Sequence, residues 1–246
     1  MNIVFVGYRK WSYQILINLL KVKSNKWQII AVISPSSTEA DFNNLSVPVL
    51  IVDPRKLRID TTLHQITKYR PNIFLFYGWS WMIPQELYKS YTCLILHPSP
   101  LPKYRGGSPL QHQIIYGEKT SAVTILKVTK NIDAGPIYSQ TNFSLSGSLP
   151  QIFNRIVKIG SRNTKQVLDD IANKNIHPIV QNEKSATYYK RRKPEDSEIT
   201  LDDLRSKTAI ELYNFIRALA DPYPNAFIMC KDGKKLLLTH AKPTIE

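Results

Sequence analysis

The residues in this sequence best suited to chemistry are a histidine and a carboxylate. His97 closes the apolar run Cys93-Leu94-Ile95-Leu96 and opens the stretch HPSPLPKYRGGSP, in which Pro98, Pro100 and Pro102 stiffen the following loop. Thirty-six residues later, Asn131-Ile132-Asp133-Ala134-Gly135-Pro136 reads as a turn carrying an acid between two extended segments. A carboxylate beside an imidazole fixes its tautomer and raises its basicity. Each residue also has a plain structural reading, His97 as a satisfied strand-end histidine and Asp133 as a turn former. Cys93 and Cys230 lie far apart and make neither a disulfide framework nor a metal site, and the sequence offers no metal ligand set.

Such a pair needs elements that deliver it to one place. Residues 2–7 form a short apolar run ending in glycine, the pattern of a buried strand, and Ile15, Leu16, Leu19 and Leu20 follow at helical spacing. Strands are predicted at 27–33, at 47–52 (an edge strand, from Pro48) and at 73–77, with helix signals around 60–69. Further strands are predicted at 93–96, 122–128 and 136–143, then a long helix over 150–172. Alternating strands and helices imply an α/β fold, a Rossmann-like and mostly parallel sheet with helices on both faces. In such sheets ligands bind at the carboxyl ends of strands, where His97 falls. The first turn, Gly7-Tyr8-Arg9-Lys10, lacks the G-x-G-x-x-G fingerprint, which argues against a nicotinamide-dependent oxidoreductase. Residues 177–198 lose periodicity and gain proline and charge, so they read as a linker between a catalytic domain (1–180) and a small α+β subdomain (181–246). That subdomain is predicted to hold a helix at about 207–219 and a hairpin turning at Asp232-Gly233.

Composition bounds the rest. The chain has 246 residues, 43% hydrophobic and 21% charged, which suits a folded domain with a substantial core and excludes whole-chain disorder. No apolar run approaches the roughly 20 residues that span a bilayer. The basic residues of MNIVFVGYRKW follow its apolar stretch, the wrong order for a secretory signal, so a reducing, cytoplasmic compartment is expected. Lys and Arg number 33 against 19 Asp and Glu, a formal charge of +14. That balance suits a polyanionic partner such as nucleic acid, membrane phosphates, a nucleotide or a polyglutamylated cofactor. The charge is scattered apart from Lys190, Arg191, Arg192 and Lys193, and solubility alone would explain it equally well.

Taken together and in order, these segments resemble the formyltetrahydrofolate-dependent formyltransferase family. HPSPLPKYRG looks like that family's active-site motif. Gln111, Ala122-Val123-Thr124-Ile125 and Asp133-Ala134-Gly135-Pro136 stand in the family order, and the likeness runs from residue 1 to about 172. The resemblance implies transfer of a formyl group from N10-formyltetrahydrofolate to an amine, with no metal. Tyr77, Gly78, Trp79, Trp81, Met82 and Ile83 resemble the loop that packs against the pterin, with Asn131 and Ile132 completing the folate site. His97 would donate a hydrogen bond to the formyl oxygen, and Asp133 would orient His97 and, directly or through water, take the proton of the attacking amine. One departure stands out: the family usually has asparagine two residues before the histidine, and here that position is Ile95. Alternate strand residues share a face, so an apolar group takes the place of a donor whose loss costs on the order of 10²–10³ in rate. Gln111, a backbone N–H or a water would have to replace it, or the enzyme is slow or inactive.

The family's branches differ in the amine they formylate. The loop SPSSTEADFNNLS (34–46) holds two acids and no base, and only about 50 residues follow the linker, which does not suit a tRNA clamp built on cationic contacts to phosphates. Residues 191–197 and 216–227, with Pro222-Tyr223-Pro224-Asn225-Ala226-Phe227, instead resemble the compact tail of sugar-nucleotide N-formyltransferases. That branch implies a homodimer acting on a nucleotide-linked amino sugar, as in O-antigen or other surface-glycan biosynthesis, with no stable nucleic-acid or membrane partner. Arg9, Lys10 or Arg105 would meet the diphosphate, and Pro98, Ser99, Gly106 and Tyr223 would complete the acceptor site. A methionyl-tRNA formyltransferase-like enzyme, and a catalytically weak member used as a binding module, are the alternatives.

Overall fold

The computed structural model describes residues 1–42, 44–54 and 65–244. Its main sheet has seven strands, named in chain order β1 (Asn2–Val6), β2 (Gln28–Pro35), β3 (Val49–Val52), β4 (Ile73–Tyr77), β5 (Thr92–His97), β7 (Thr120–Lys127) and β8 (Ile137–Ser144). Their spatial order is β3-β2-β1-β4-β5-β7-β8. The first five pair in parallel, β7 and β8 add antiparallel, and β3 and β8 are the edge strands. A Rossmann-like α/β sheet is therefore what the alternation produces. The helix signal at 60–69 lies mostly outside the described residues, of which 65–67 are helical.

Alternation of side chains builds a core on each face. Ile3, Phe5, Leu75, Leu94 and Leu96 pack on one side against the helices α1 (Lys10–Leu20) and α4 (Leu149–Ala172). Val4, Val6, Phe74, Phe76 and Cys93 pack on the other, with Leu87 from the short helix α2 (Gln85–Ser90). Ile95 belongs to this second face, and His97, two residues on, emerges beyond its end. The loop after β5 runs through the two-residue strand β6 (Arg105–Gly106) into helix α3 (Pro109–Ile115).

The C-terminal part holds α5 (Leu201–Ser206), α6 (Ala209–Ala218) and the hairpin β10 (Ala226–Met229) and β11 (Lys235–Leu238). Phe215, Ile216 and Leu219 pack there with Ile199 and Ala226, and Ile115 of α3 joins them. The expected linker is instead an ordered strap. Ile179 bridges Ile137, β9 (Tyr188–Tyr189) pairs in parallel with β6, and the Arg192 N–H donates to Ser108 Oγ. Two-residue pairings carry no hydrophobic period, so the composition of this segment hides its attachment. Among the described residues no helix is long and apolar enough to cross a membrane.

Candidate active site

His97 is 5% exposed at the carboxyl end of β5. Its Nε2 lies 2.8 Å from the Tyr104 carbonyl, which can only accept, so Nε2 carries a proton. Nδ1 faces Asp133 Oδ2 at 3.5 Å. That separation is long for a hydrogen bond. Asp133 Oδ2 also accepts the Gly106 N–H at 2.8 Å. The residue stands at φ 51°, in the left-handed region that non-glycine residues rarely adopt and that aspartate tolerates better than most.

The pair opens into a cavity of about 640 Å³. Gly78, Trp79, Trp81 and Met82 form one wall, stiffened by ring contacts from Trp79 to Trp81 (4.9 Å) and from Tyr8 to Trp81 (5.0 Å). Among the described residues the Trp79 indole N–H, buried there, has no partner. His97, Pro98, Gly106 and Gln111 form the floor with Ile95, and Ile132 and Asp133 close one side. Arg9 and Tyr223 stand opposite, beside the strap residues Arg191, Arg192 and Lys193. Arg9 pairs with Glu39 and lies over the Tyr8 ring. Burial of the Tyr223 hydroxyl pushes it up to about 12, against the opposing effects of Arg9 and of a hydrogen bond from Gln111.

Six expected site residues sit elsewhere. Arg105 is fully buried, its guanidinium bound to Gln181, Glu183 and the Tyr188 hydroxyl, with Glu183 foremost in raising its pKa. It clamps the strap and does not reach the cavity. Lys10 is exposed at the start of α1, where its backbone N–H donates to Glu39. Ser99 is fully buried and donates to the Lys103 carbonyl, and Tyr77 is buried with its hydroxyl on Thr164. Ile83 packs into the core beneath the aromatic loop, and Asn131 is exposed on the outer side of the Asp133 turn. In each case a motif located the segment, while strand alternation or turn geometry decided which side chain faces inward.

The sequence reading missed the Tyr104 carbonyl, Gln181 and the strap's basic run as parts of the site. Only the basic run carried a signal, its charge. Among the described residues no group of three or more His, Cys, Asp or Glu side chains could hold a metal ion.

Fold and site define a group-transfer enzyme on a Rossmann-like sheet, with an imidazole–carboxylate pair at the sheet's carboxyl end. Residues 1–168 match the family model described as formyl transferase, and the chain belongs to that family. It is similar to a methionyl-tRNA formyltransferase of Lysinibacillus sphaericus, 32% identical over 206 residues, 82% of this chain and 64% of that one. The chain thus spans just under two thirds of that relative, and up to 80% of other curated relatives. A structure titled methionyl-tRNA formyltransferase from Clostridium thermocellum matches with TM-score 0.70 and 29% identity over 96% of both chains. A sugar N-formyltransferase from a Shewanella species matches with TM-score 0.80 and 18% identity, over 100% of this chain and 99% of that one, a likeness of fold. Formyl transfer is the activity for which this family is described, and N10-formyltetrahydrofolate is the donor that the resemblance implies. The residues present fit that donor: an aromatic wall, whose Trp79 indole N–H has no partner among the described residues, adjoins the His97–Asp133 pair.

Proposed function

We propose that the protein moves the formyl group of N10-formyltetrahydrofolate onto the primary amine of a nucleotide-linked amino sugar, a step in making a surface glycan. The observation that carries this reading is a single cavity reaching from the His97–Asp133 pair to the Arg191-Arg192-Lys193 strap and Tyr223. Its volume falls in the range of small-molecule sites. Cations at one end suit a diphosphate, and the aromatic Tyr223 suits a sugar or base ring.

The donor, when bound, supplies an electrophilic formyl carbon. Asp133 accepts the proton of the attacking amine, directly or through a water. With the His97 Nε2–H engaged by the Tyr104 carbonyl, donation to the formyl oxygen from this ring requires its imidazolium form, in which Nδ1 also carries a hydrogen beside the Asp133 carboxylate. Ile95 leaves this centre one side-chain donor short of the usual family pattern, and a weakly active member used as a folate-binding module would have the same site. A homodimer, as the family resemblance implies, completes the reading.

A second reading is formylation of methionyl-tRNA, favoured by the names of the curated relatives and by the +14 charge. Release of tetrahydrofolate separates the two, measured over a panel of amino-sugar nucleotides and with methionyl-tRNA in parallel. Turnover with an amino-sugar nucleotide and none with the tRNA is expected. The opposite result would overturn the proposal, and folate binding without turnover on either would favour the binding module.

A further inference from the structure

We infer that Gln181 is a positioning residue for the carboxylate of Asp133, acting from the strap through the backbone of the Asp133 turn. This rests on the reading of Asp133 as the proton acceptor of formyl transfer. The Gln181 side-chain amide is buried and donates from Nε2 to both the Asp133 and the Gly135 carbonyls, each at 2.8 Å. Its Oε1 accepts from Arg105 Nε at 3.1 Å and Nη2 at 2.8 Å. Arg105 is anchored in turn by Glu183, and the residue after it, Gly106, donates its N–H to Asp133 Oδ2. Asp133 is therefore gripped twice from one anchor, at its carbonyl by Gln181 and at its carboxylate by Gly106.

That grip has work to do. A non-glycine residue at positive φ is held away from its preferred regions, so the turn is free to relax unless something holds it. Relaxation swings the carboxylate away from His97 Nδ1, and a misplacement of about 1 Å at a reacting group costs up to about 10²-fold in rate. The Gln181 bonds to the two carbonyls lock the turn without touching the cavity, since Gln181 does not line it. Arg105 and Glu183 also lie outside the cavity wall, and of this grip only Gly106, through its backbone, reaches it.

Gln181→Glu tests this directly. It keeps the size of the side chain and the acceptor for Arg105, and replaces the NH₂ facing two carbonyls with an oxygen. The expected result is a kcat lowered about 10- to 100-fold with the KM for N10-formyltetrahydrofolate within about threefold. A readout that needs no acceptor is amide exchange of Gly106, whose N–H is bound to Asp133. It should accelerate at least about tenfold while amides of the central strands stay protected. Gln181→Met, similar in size but without the amide donors, should show the same loss of Gly106 protection, together with a lower melting temperature because it also removes the acceptor of Arg105.

An unchanged Gly106 amide in both variants overturns the inference. So does a general loss of strand protection, or a failure of both variants to fold, since the role would then be structural. Should the unaltered protein formylate no amine on the panel, the acceptor reading fails, and Gly106 exchange alone decides the positioning of Asp133.

Discussion

Both ring nitrogens of His97 are engaged, by a carbonyl at 2.8 Å and a carboxylate at 3.5 Å, so the ring is fixed in orientation before any substrate arrives. Preorganisation of this kind is what an electrophilic donor needs. His97→Ala is expected to lower kcat by at least about 10², near 3 kcal/mol, and a correctly folded variant with near-normal kcat would remove the residue from the chemistry. The missing family asparagine is testable beside it. Ile95 and Gln111 line the same cavity, but the Gln111 amide is already bonded to Tyr223. If Gln111 nonetheless supplies the missing donor, Gln111→Ala drops kcat about tenfold or more and Ile95→Asn gains little. A neutral Gln111→Ala with an Ile95→Asn that raises kcat by a similar factor would instead mark the natural site as uncompensated and slow.

The strap between α4 and α5 is the element whose character changed most on folding. Its proline and charge read as a spacer, yet its backbone pairs with β6 so closely that a Cβ on Gly107 would lie 2.4 Å from the Arg191 Cα. Gly106, at φ 96°, would place a Cβ 2.3 Å from the Tyr189 carbonyl oxygen. Arg105→Met is accordingly expected to destabilise the fold by about 3 kcal/mol, because it leaves the buried Gln181 carbonyl unpaired and frees Glu183. In a chain of this size that corresponds to a melting temperature lower by roughly 6–12 °C. Were Arg105 a diphosphate ligand, acceptor KM would rise with the melting temperature intact.

At the scale of the whole molecule, the contact of Arg9 and Tyr223 joins the first turn of the sheet to the C-terminal part across the cavity. Tyr223 holds its proton up to about 12 instead of near 10, so its contribution to stability is complete below about pH 10 and fades as pH rises toward 12. Tyr223→Phe has no hydroxyl to ionise. Thermal unfolding at about pH 8 and about pH 11 should therefore show the natural protein losing more stability over that interval than the variant. Equal losses would mean that the hydroxyl ionises without opposing the closed arrangement.

The strands, the long helix, the edge position of β3 and the placement of His97 at a strand's carboxyl end and Asp133 in a turn were all legible in the sequence. Hydrophobic period and turn residues are local signals, and motif order survives without coordinates. The C-terminal helix and hairpin were legible for the same reason. The identity of the side chains that face the cavity was not. Ser99, Tyr77 and Arg105 sit in or beside the right motifs but point into the protein, because pleat and loop closure turn neighbours in opposite directions. Gln181 gave no signal at all: a lone glutamine in a polar stretch gains its role only when the strap folds back and sets its amide against the two carbonyls beside the acid. Contacts between residues 48 positions apart in sequence, as Gln181 and Asp133 are, are fixed by tertiary packing and by nothing nearer in the chain.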